Sequence, residues 1–138
     1  MIELPDFGKS FEYENDFYLS CDITRISKMV AHYELFKMTS NFPGAIIECG
    51  VFKGASLVLF AIFRELFQNP FSRKIIAFDT FGKFPESNFA NDKKPRQRFI
   101  DEAGDESISR SQLKEVLNNK GINKSIELVE GDIINTVP

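Results

Sequence analysis

The 138-residue sequence has no tryptophan, one histidine and two cysteines, so it is poor in the side chains that hold soft metals. Neither Cys21 nor Cys49 belongs to a cluster with metal-ligand spacing, and we predict no metal site. Cys49 falls in an apolar run and Cys21 in a polar stretch, so a structural disulfide is not expected. This cysteine usage is typical of a cytoplasmic protein.

A strong net charge and long hydrophobic runs are also missing. The formal net charge of −3 offers no basic footprint for nucleic acid. No apolar run approaches the length of a membrane span, and the first residues lack a signal-peptide pattern. With 43% hydrophobic and 27% charged residues, the chain has the composition of one soluble domain. We therefore expect neither nucleic-acid nor membrane partners.

The most informative stretch is residues 44–63, which read GAIIECGVFKGASLVLFAIF. A β-branched apolar run favours a buried strand, a turn follows between Gly50 and Gly54, and residues 55–67 favour a helix. Free backbone N–H groups and the positive end of the helix dipole meet at such a junction. The stretch therefore predicts a site for a nucleotide-like ligand.

The spacing of the turn narrows the choice of nucleotide. Only three residues separate the glycines, and Ala55 stands where a P-loop requires lysine. Phe52 replaces the second glycine of a dinucleotide fingerprint, which argues against an oxidoreductase-type domain. What remains is acid-x-Gly-x-x-x-Gly, with Glu48 at the carboxyl end of the strand. A carboxylate repels phosphate but attracts a cation, and S-adenosylmethionine carries both a sulfonium and an ammonium group.

Two further strands are predicted, over residues 74–79 and 125–129. The first ends on Asp79, at a position that commonly holds ribose hydroxyls, although Asp79 could instead only cap a turn with Thr80. Asp132 follows the second of these strands. Because the carboxyl ends of parallel strands share one edge, Glu48, Asp79 and Asp132 are predicted to lie along the ligand-binding edge of a parallel sheet.

The segments before the first strand are predicted to form an arm and a helix. Residues 1–20 are aromatic but irregularly spaced, which indicates an arm that packs on the domain or covers the site. From Asp22 onward, apolar residues recur with helical period until a turn begins near Asn41. His32 lies on this helix, where a packing role is favoured and a substrate contact stays open.

Residues 82–107 form a long polar insertion, typical of a lid or binding loop, with a short helix expected over residues 96–103. Ser107 or Ser109 is then predicted to cap a helix over residues 110–120. The insertion is basic, which fits either a solvated face or a clamp for an anionic substrate. Its basic residues are Lys83, Lys93, Lys94, Arg96 and Arg98.

Three motifs resemble the macrocin O-methyltransferase (TylF-like) family: IECGVFKGAS over residues 47–56, FDTFGKFP over residues 78–85, and Glu130-Gly131-Asp132. The family comprises class I S-adenosylmethionine-dependent methyltransferases, many of which act on sugar hydroxyls. The resemblance implies an α/β, Rossmann-like fold with a parallel sheet. It also implies a division into an N-terminal arm and cap helix (residues 1–43) and a partial cofactor-binding domain (residues 44–138).

Carried over by position, the resemblance and the spacing together give one set of cofactor-binding residues. Glu48 and Gly50 would border the methionine part, Ser56 would lie near its carboxylate, and Asp79 would hold the ribose. Asp132 and its neighbour would meet the adenine. The full set is Glu48, Gly50, Val51, Phe52, Gly54, Ser56, Asp79, Thr80, Gly131, Asp132 and Ile133.

The resemblance also implies that family members continue into a fourth strand and an acidic, metal-binding motif. We therefore expect a truncated half of an O-methyltransferase of sugar or nucleotide-sugar hydroxyls, inactive alone, with Mg²⁺ needed only by the other half. No catalytic residue is assigned. The expected partners are a small-molecule substrate and further copies of the chain. The alternative is a non-catalytic module that binds S-adenosylmethionine or another protein.

Overall fold

The computed structural model describes residues 1–84, 91 and 93–137, and shows a three-stranded sheet with helices between the strands. The strands are β1 (Ile46–Cys49), β2 (Ile75–Asp79) and β3 (Ile126–Glu130). The helices are α1 (Ser10–Ser20), α2 (Ile23–Thr39), α3 (Ala55–Phe67), α4 (Lys93–Ala103), α5 (Arg110–Asn119) and α6 (Ile133–Thr136), and a 3-10 turn (Phe7–Lys9) precedes α1. None of these helices is long and apolar enough to cross a membrane.

The sheet is parallel throughout, in the order β1-β2-β3, which confirms the predicted α/β fold class. The register sets Ile75 of β2 between Ile46 and Ile126 of its neighbours. Both crossovers run in the same direction across the sheet, so right-handed connections put α3 and α5 on one face. The core forms there, between α3 (Leu57, Ala61), α5 (Leu113, Leu117) and the middle strand (Ile75, Ala77).

The helix predictions hold where a cap or a strong period marks the ends. Asp22 caps α2 by accepting a hydrogen bond from Thr24 N–H at 2.8 Å. Ser109 rather than Ser107 caps α5, in a capping box with Gln112. The helix of the insertion begins at Lys93 instead of residue 96.

The sequence motifs predicted no metal site. Within the described ranges, no three acidic, cysteine or histidine side chains lie close enough together to bind a metal ion.

Two predictions about the N-terminal half need correction. The irregular aromatic arm contains a regular helix, α1, none of whose residues is buried. β1 was predicted to be a buried strand, yet Ile47 is 60% exposed and Cys49 is exposed as well. Ile47 and Cys49 share one face of β1, whereas Ile46 and Glu48 on the other face are half-buried. In addition, β1 pairs with β2 on one side only, and no described strand pairs with its other side. Composition cannot distinguish an edge strand from a central one.

Arg64 of α3 ties together the segments that enter β2 and β3. It is 0% exposed, and its guanidinium donates to the carbonyls of Arg73 (2.9 Å), Ser125 (3.2 Å) and Lys124 (2.5 Å). Burial lowers the pKa of Arg64, and the nearby Glu65 carboxylate partly offsets this. The side chain therefore stabilises the amino-terminal edge of the sheet. It donates to the carbonyls of Arg73 and Lys124, and it adds a second donor to the Ser125 carbonyl, which already accepts from Ile75 N–H.

We predict that Arg64→Met lowers the free energy of unfolding by about 3–5 kcal/mol, because one buried and two partly buried carbonyls lose a charged donor. Urea unfolding of the full chain measures the change. The matched control is Arg98→Met, since Arg98 is exposed and, within the described part of the chain, pairs only with Glu102 of its own helix. Equal unfolding midpoints for the two variants would show that Arg64 has no such role.

Candidate functional site

A cavity of about 310 Å³ opens at the carboxyl-terminal edge of the sheet. All three strands contribute to it through the loops that follow them, as expected for a ligand site in a parallel α/β sheet. Its lining residues are Cys49, Gly50, Phe52, Asp79, Thr80, Phe84, Ser107, Gly131, Asp132 and Ile133.

The turn between β1 and α3 has an unusual backbone at Phe52, whose φ is +52°. A non-glycine residue in this region costs about 1–3 kcal/mol and persists only where its surroundings hold it. Here the N–H of Phe52 donates to Asp79, and its carbonyl accepts from Ile108 N–H at 2.7 Å. Gly54 completes the turn, where a Cβ would come within 3.0 Å of Leu113 Cδ1 at a φ of +82°.

The carboxylate of Asp79 connects this turn to the end of β2. Its Oδ2 accepts hydrogen bonds from the N–H groups of Val51 (2.6 Å) and Phe52 (3.0 Å). Its Oδ1 accepts from Phe81 N–H at 2.8 Å, and Thr80 and Ser107 hydroxyls lie 3.4 and 3.5 Å away. Asp79 therefore caps its own turn, through Phe81, and also fixes the glycine turn 27 residues upstream.

Aromatic side chains form one wall of the cavity. The rings of Phe52 and Phe84 each contact Phe99 of α4, with centroids 5.2 and 5.4 Å apart. The guanidinium of Arg96 lies 5.6 Å from the Phe84 centroid and donates to the Phe84 carbonyl at 3.1 Å. Lys53 Nζ donates to the Ala103 carbonyl at 2.8 Å. These contacts hold α4 beside the site.

The third side of the cavity is the junction between β3 and α6. Asp132 caps α6 by accepting from Ile134 N–H at 2.9 Å, while Ile133 is 46% exposed. Gly131 N–H donates to the Asp79 carbonyl at 2.9 Å, and a Cβ on Gly131 would lie 2.7 Å from Thr136 Cγ2. Helix α6 was not predicted, because four residues are too few for a periodic signal.

Glu48 lies beside the cavity as a half-buried carboxylate. Burial raises its pKa from the ordinary 4.5 to about 7; the charge of Lys28 lowers it and the charge of Asp79 raises it. Among the described residues its Oε2 has no hydrogen-bond partner. A buried carboxylate with an unused acceptor is suited to a cationic ligand, because the cation would replace the lost hydration.

The structure brings seven of the predicted site residues together in the cavity: Gly50, Phe52, Asp79, Thr80, Gly131, Asp132 and Ile133. Val51 and Gly54 are buried within the turn instead. Ser56 lines a second cavity, between α2 and α3. His32 lines that second cavity too and stacks on Phe60 at 5.2 Å.

Three lining residues were not among the predicted ones: Cys49, Phe84 and Ser107. Phe84 lies within the FDTFGKFP motif, which could have pointed to it. Ser107 instead donates to the Gly82 carbonyl at 2.6 Å, across the whole insertion. A contact over 25 residues leaves no local pattern in the sequence.

The fold and the cavity together define a Rossmann-like α/β domain with a ligand cavity at the carboxyl ends of its parallel strands. The family model of macrocin-O-methyltransferase (TylF) matches residues 23–138, and the chain belongs to this family. Both the predicted family and the predicted fold class are thereby confirmed. None of the curated proteins matches the chain.

The similar solved structures are also methyltransferases. The chain is similar to CalS11, a calicheamicin methyltransferase, with 27% identity and a TM-score of 0.67 over 94% of this chain and 53% of that one. An apo structure of CalS11, described as a TDP-rhamnose 3'-O-methyltransferase, shows 24% identity and a TM-score of 0.55, covering 94% and 50%. The O-methyltransferase NovP shows 21% identity and a TM-score of 0.61, covering 84% and 48%. The chain thus spans about half the length of these proteins.

We predict that Glu48→Gln changes how stability depends on pH. The pKa of Glu48 is raised in the folded state, so the fold holds a proton that the unfolded chain has lost between pH 4.5 and about 7. The free energy of unfolding of the wild type should therefore fall across this interval. Because Glu48 is only half-buried, we expect Glu48→Gln to be more stable at pH 8 by only about 1–2 kcal/mol.

Urea unfolding at pH 4.5, 6 and 8 tests this prediction. The control is Glu130→Gln, which changes an exposed carboxylate at the end of β3 and should leave the pH dependence unaltered. Parallel pH profiles for the wild type and Glu48→Gln would contradict the assignment.

Proposed function

We propose that the chain is the cofactor-binding part of an S-adenosylmethionine-dependent O-methyltransferase that acts on a sugar or nucleotide-sugar hydroxyl. The observation that carries the proposal is the combination of a cavity at the carboxyl edge of the sheet, held by Asp79, with the half-buried carboxylate of Glu48, whose Oε2 has no partner in the described part of the chain. Residues 44–138 would form the cofactor domain, and residues 1–43 would form the arm and cap helix. The membership of the TylF family supports this activity.

The residues present are compatible with the cofactor. A volume of about 310 Å³ is at the lower end of ligand cavities and suits the adenosine part. Oδ1 of Asp79 has one short hydrogen bond, so it can still accept from a ribose hydroxyl. Asp132 and Ile133 border the cavity where the adenine would lie, and Gly50 borders the path toward Glu48.

Bound S-adenosylmethionine would supply an electrophilic methyl group. The chain would bind and orient it: Glu48 would pair with its ammonium group, and Asp79 would fix the ribose. The aromatic wall of Phe52, Phe84 and Phe99 would exclude water from the cavity. No described residue is assigned to accept the proton of the substrate hydroxyl.

The charge of α4 supports an anionic acceptor, such as a nucleotide-sugar. Lys93 and Lys94 begin this helix and are exposed, and Phe99 of the same helix contacts the cavity wall. CalS11, which is described as acting on TDP-rhamnose, is in keeping with such a substrate. The need for Mg²⁺, which we expected only in the other half of the enzyme, stays a prediction.

A non-catalytic binding or interaction module is the second candidate. It is favoured by the open edge of β1, where Ile47 is 60% exposed and an apolar edge can pair with another chain. Such pairing would also give the homo-oligomer that the sequence suggested. Transfer of labelled methyl groups to nucleotide-sugars distinguishes the two candidates, since only the enzyme would give a methylated product.

We predict that S-adenosylmethionine and S-adenosylhomocysteine bind the chain more tightly than NAD or ATP. The reason is that Glu48 repels phosphate and attracts the ammonium group. Isothermal titration calorimetry on the full chain measures all four affinities under one condition. Equal or tighter binding of NAD would refute the assignment of the cofactor.

We further predict that Asp79→Ala weakens S-adenosylmethionine binding by about 1.5–3 kcal/mol, because ribose hydroxyls lose a charged acceptor. The same change should reduce stability, since three backbone N–H groups lose their partner. Asp101→Ala, on the exposed side of α4, is the matched control. An affinity like that of the wild type would leave Asp79 with only its role in the turn.

A further inference from the structure

A second cavity, of about 290 Å³, lies between the N-terminal helices and α3. Most of its lining is apolar, but α2 contributes two cations and a histidine, and α3 contributes a serine hydroxyl. Its lining residues are Phe17, Arg25, Lys28, Met29, His32, Ala55, Ser56, Val58, Leu59 and Ile62. The function proposed above does not yet use the cations of this cavity.

Among the described residues, the two cations and the serine hydroxyl of the second cavity have no hydrogen-bond or ion-pair partner, although Arg25 is near enough to Asp22 to lower the pKa of that carboxyl. Arg25 and Lys28 are three residues apart on α2 and therefore share a face of the helix. Within the described chain neither forms an ion pair within 4.0 Å, and the Ser56 hydroxyl forms no hydrogen bond. His32 is no third cation near pH 7, because burial and the charge of Lys28 lower its pKa.

The second cavity adjoins the proposed cofactor site. Ala55 and Ser56 directly follow the turn whose other end, Gly50, lines the first cavity. Glu48, at the start of that turn, is close enough to feel the charges of both Lys28 and Asp79. A ligand that extends from the first cavity past Glu48 would therefore arrive at Lys28.

The separation of Glu48 and Lys28 is informative. Their charges interact, yet no ion pair within 4.0 Å joins them, and Oε2 of Glu48 is buried without a partner. Glu48, at the carboxyl end of β1, and Lys28, in the lining of the second cavity, offer one negative and one positive group, and a ligand that carries both charges matches them. The α-amino acid group is such a ligand, because its ammonium and carboxylate are attached to the same carbon.

We propose that Lys28 binds the α-carboxylate of the methionine part of S-adenosylmethionine, with Arg25 and the Ser56 hydroxyl as its neighbours. This inference rests on the proposed function and adds to it a positioning residue from outside the sheet. Helix α2 thereby becomes part of the cofactor site, and Glu48 and Lys28 fix the two ends of the amino acid group.

Two ligands and three variants test the inference by calorimetry. S-adenosylhomocysteine contains the amino acid group, whereas 5'-methylthioadenosine has the same adenosine and sulfur but lacks it. We expect Lys28→Met to weaken S-adenosylhomocysteine binding about 10-fold or more, as for loss of a charged hydrogen bond, and to leave methylthioadenosine binding unchanged. Lys28→Arg should restore most of the affinity. Lys37→Met, on the same helix but paired with Glu34, should change neither affinity.

The outcomes separate this inference from the proposed function. If both ligands bind the wild type and Lys28→Met affects both equally or neither, the role of Lys28 is refuted and the cofactor assignment stands. If neither ligand binds the wild type, both the cofactor assignment and the role of Lys28 fail. Only a selective loss of the ligand with the amino acid group supports the proposal.

Discussion

The site depends on one carboxylate, that of Asp79. It accepts hydrogen bonds from two amides of the glycine turn and from one amide beyond β2, so a single side chain sets the distance between two loops. Hydrogen bonds to a charged acceptor are stronger than neutral ones, and this one holds Phe52 at a φ of +52°. Together with the hydrogen bond from Ile108 N–H to the Phe52 carbonyl, it helps to keep the ring of Phe52 against Phe99.

Arg64 has the matching role at the opposite edge of the sheet. Its guanidinium donates to carbonyls that precede β2 and β3, whereas Asp79 accepts hydrogen bonds from amides that follow β1 and β2. A parallel sheet of short strands leaves such groups unpaired at both edges, and each must find a partner. An acid at the carboxyl edge and a base at the amino edge meet this requirement with opposite charges.

Much of this arrangement could be predicted from local patterns. Helix α3, the cap at Asp22, and the acids at the strand ends follow from spacing alone. The exposure of β1 could not be predicted, because Ile46 and Ile47 look the same in an edge strand and a central one. The hydrogen bond from Val51 N–H to the Asp79 carboxylate could not be predicted either, because the two residues are 28 apart and no periodic pattern relates them. Tertiary partners, and not propensities, determine what those side chains do.

The two carboxylates of the site differ in what a ligand would change. Asp79 already has short hydrogen bonds to backbone amides, so the turn is preorganised and a ligand need not order it. Glu48 is half-buried, its Oε2 has no hydrogen-bond partner among the described residues, and burial raises its pKa. A cation beside Glu48 would recover part of the cost of this burial as binding free energy. The free energy available for recognising a positive charge is therefore stored at Glu48, while Asp79 maintains the shape of the cavity.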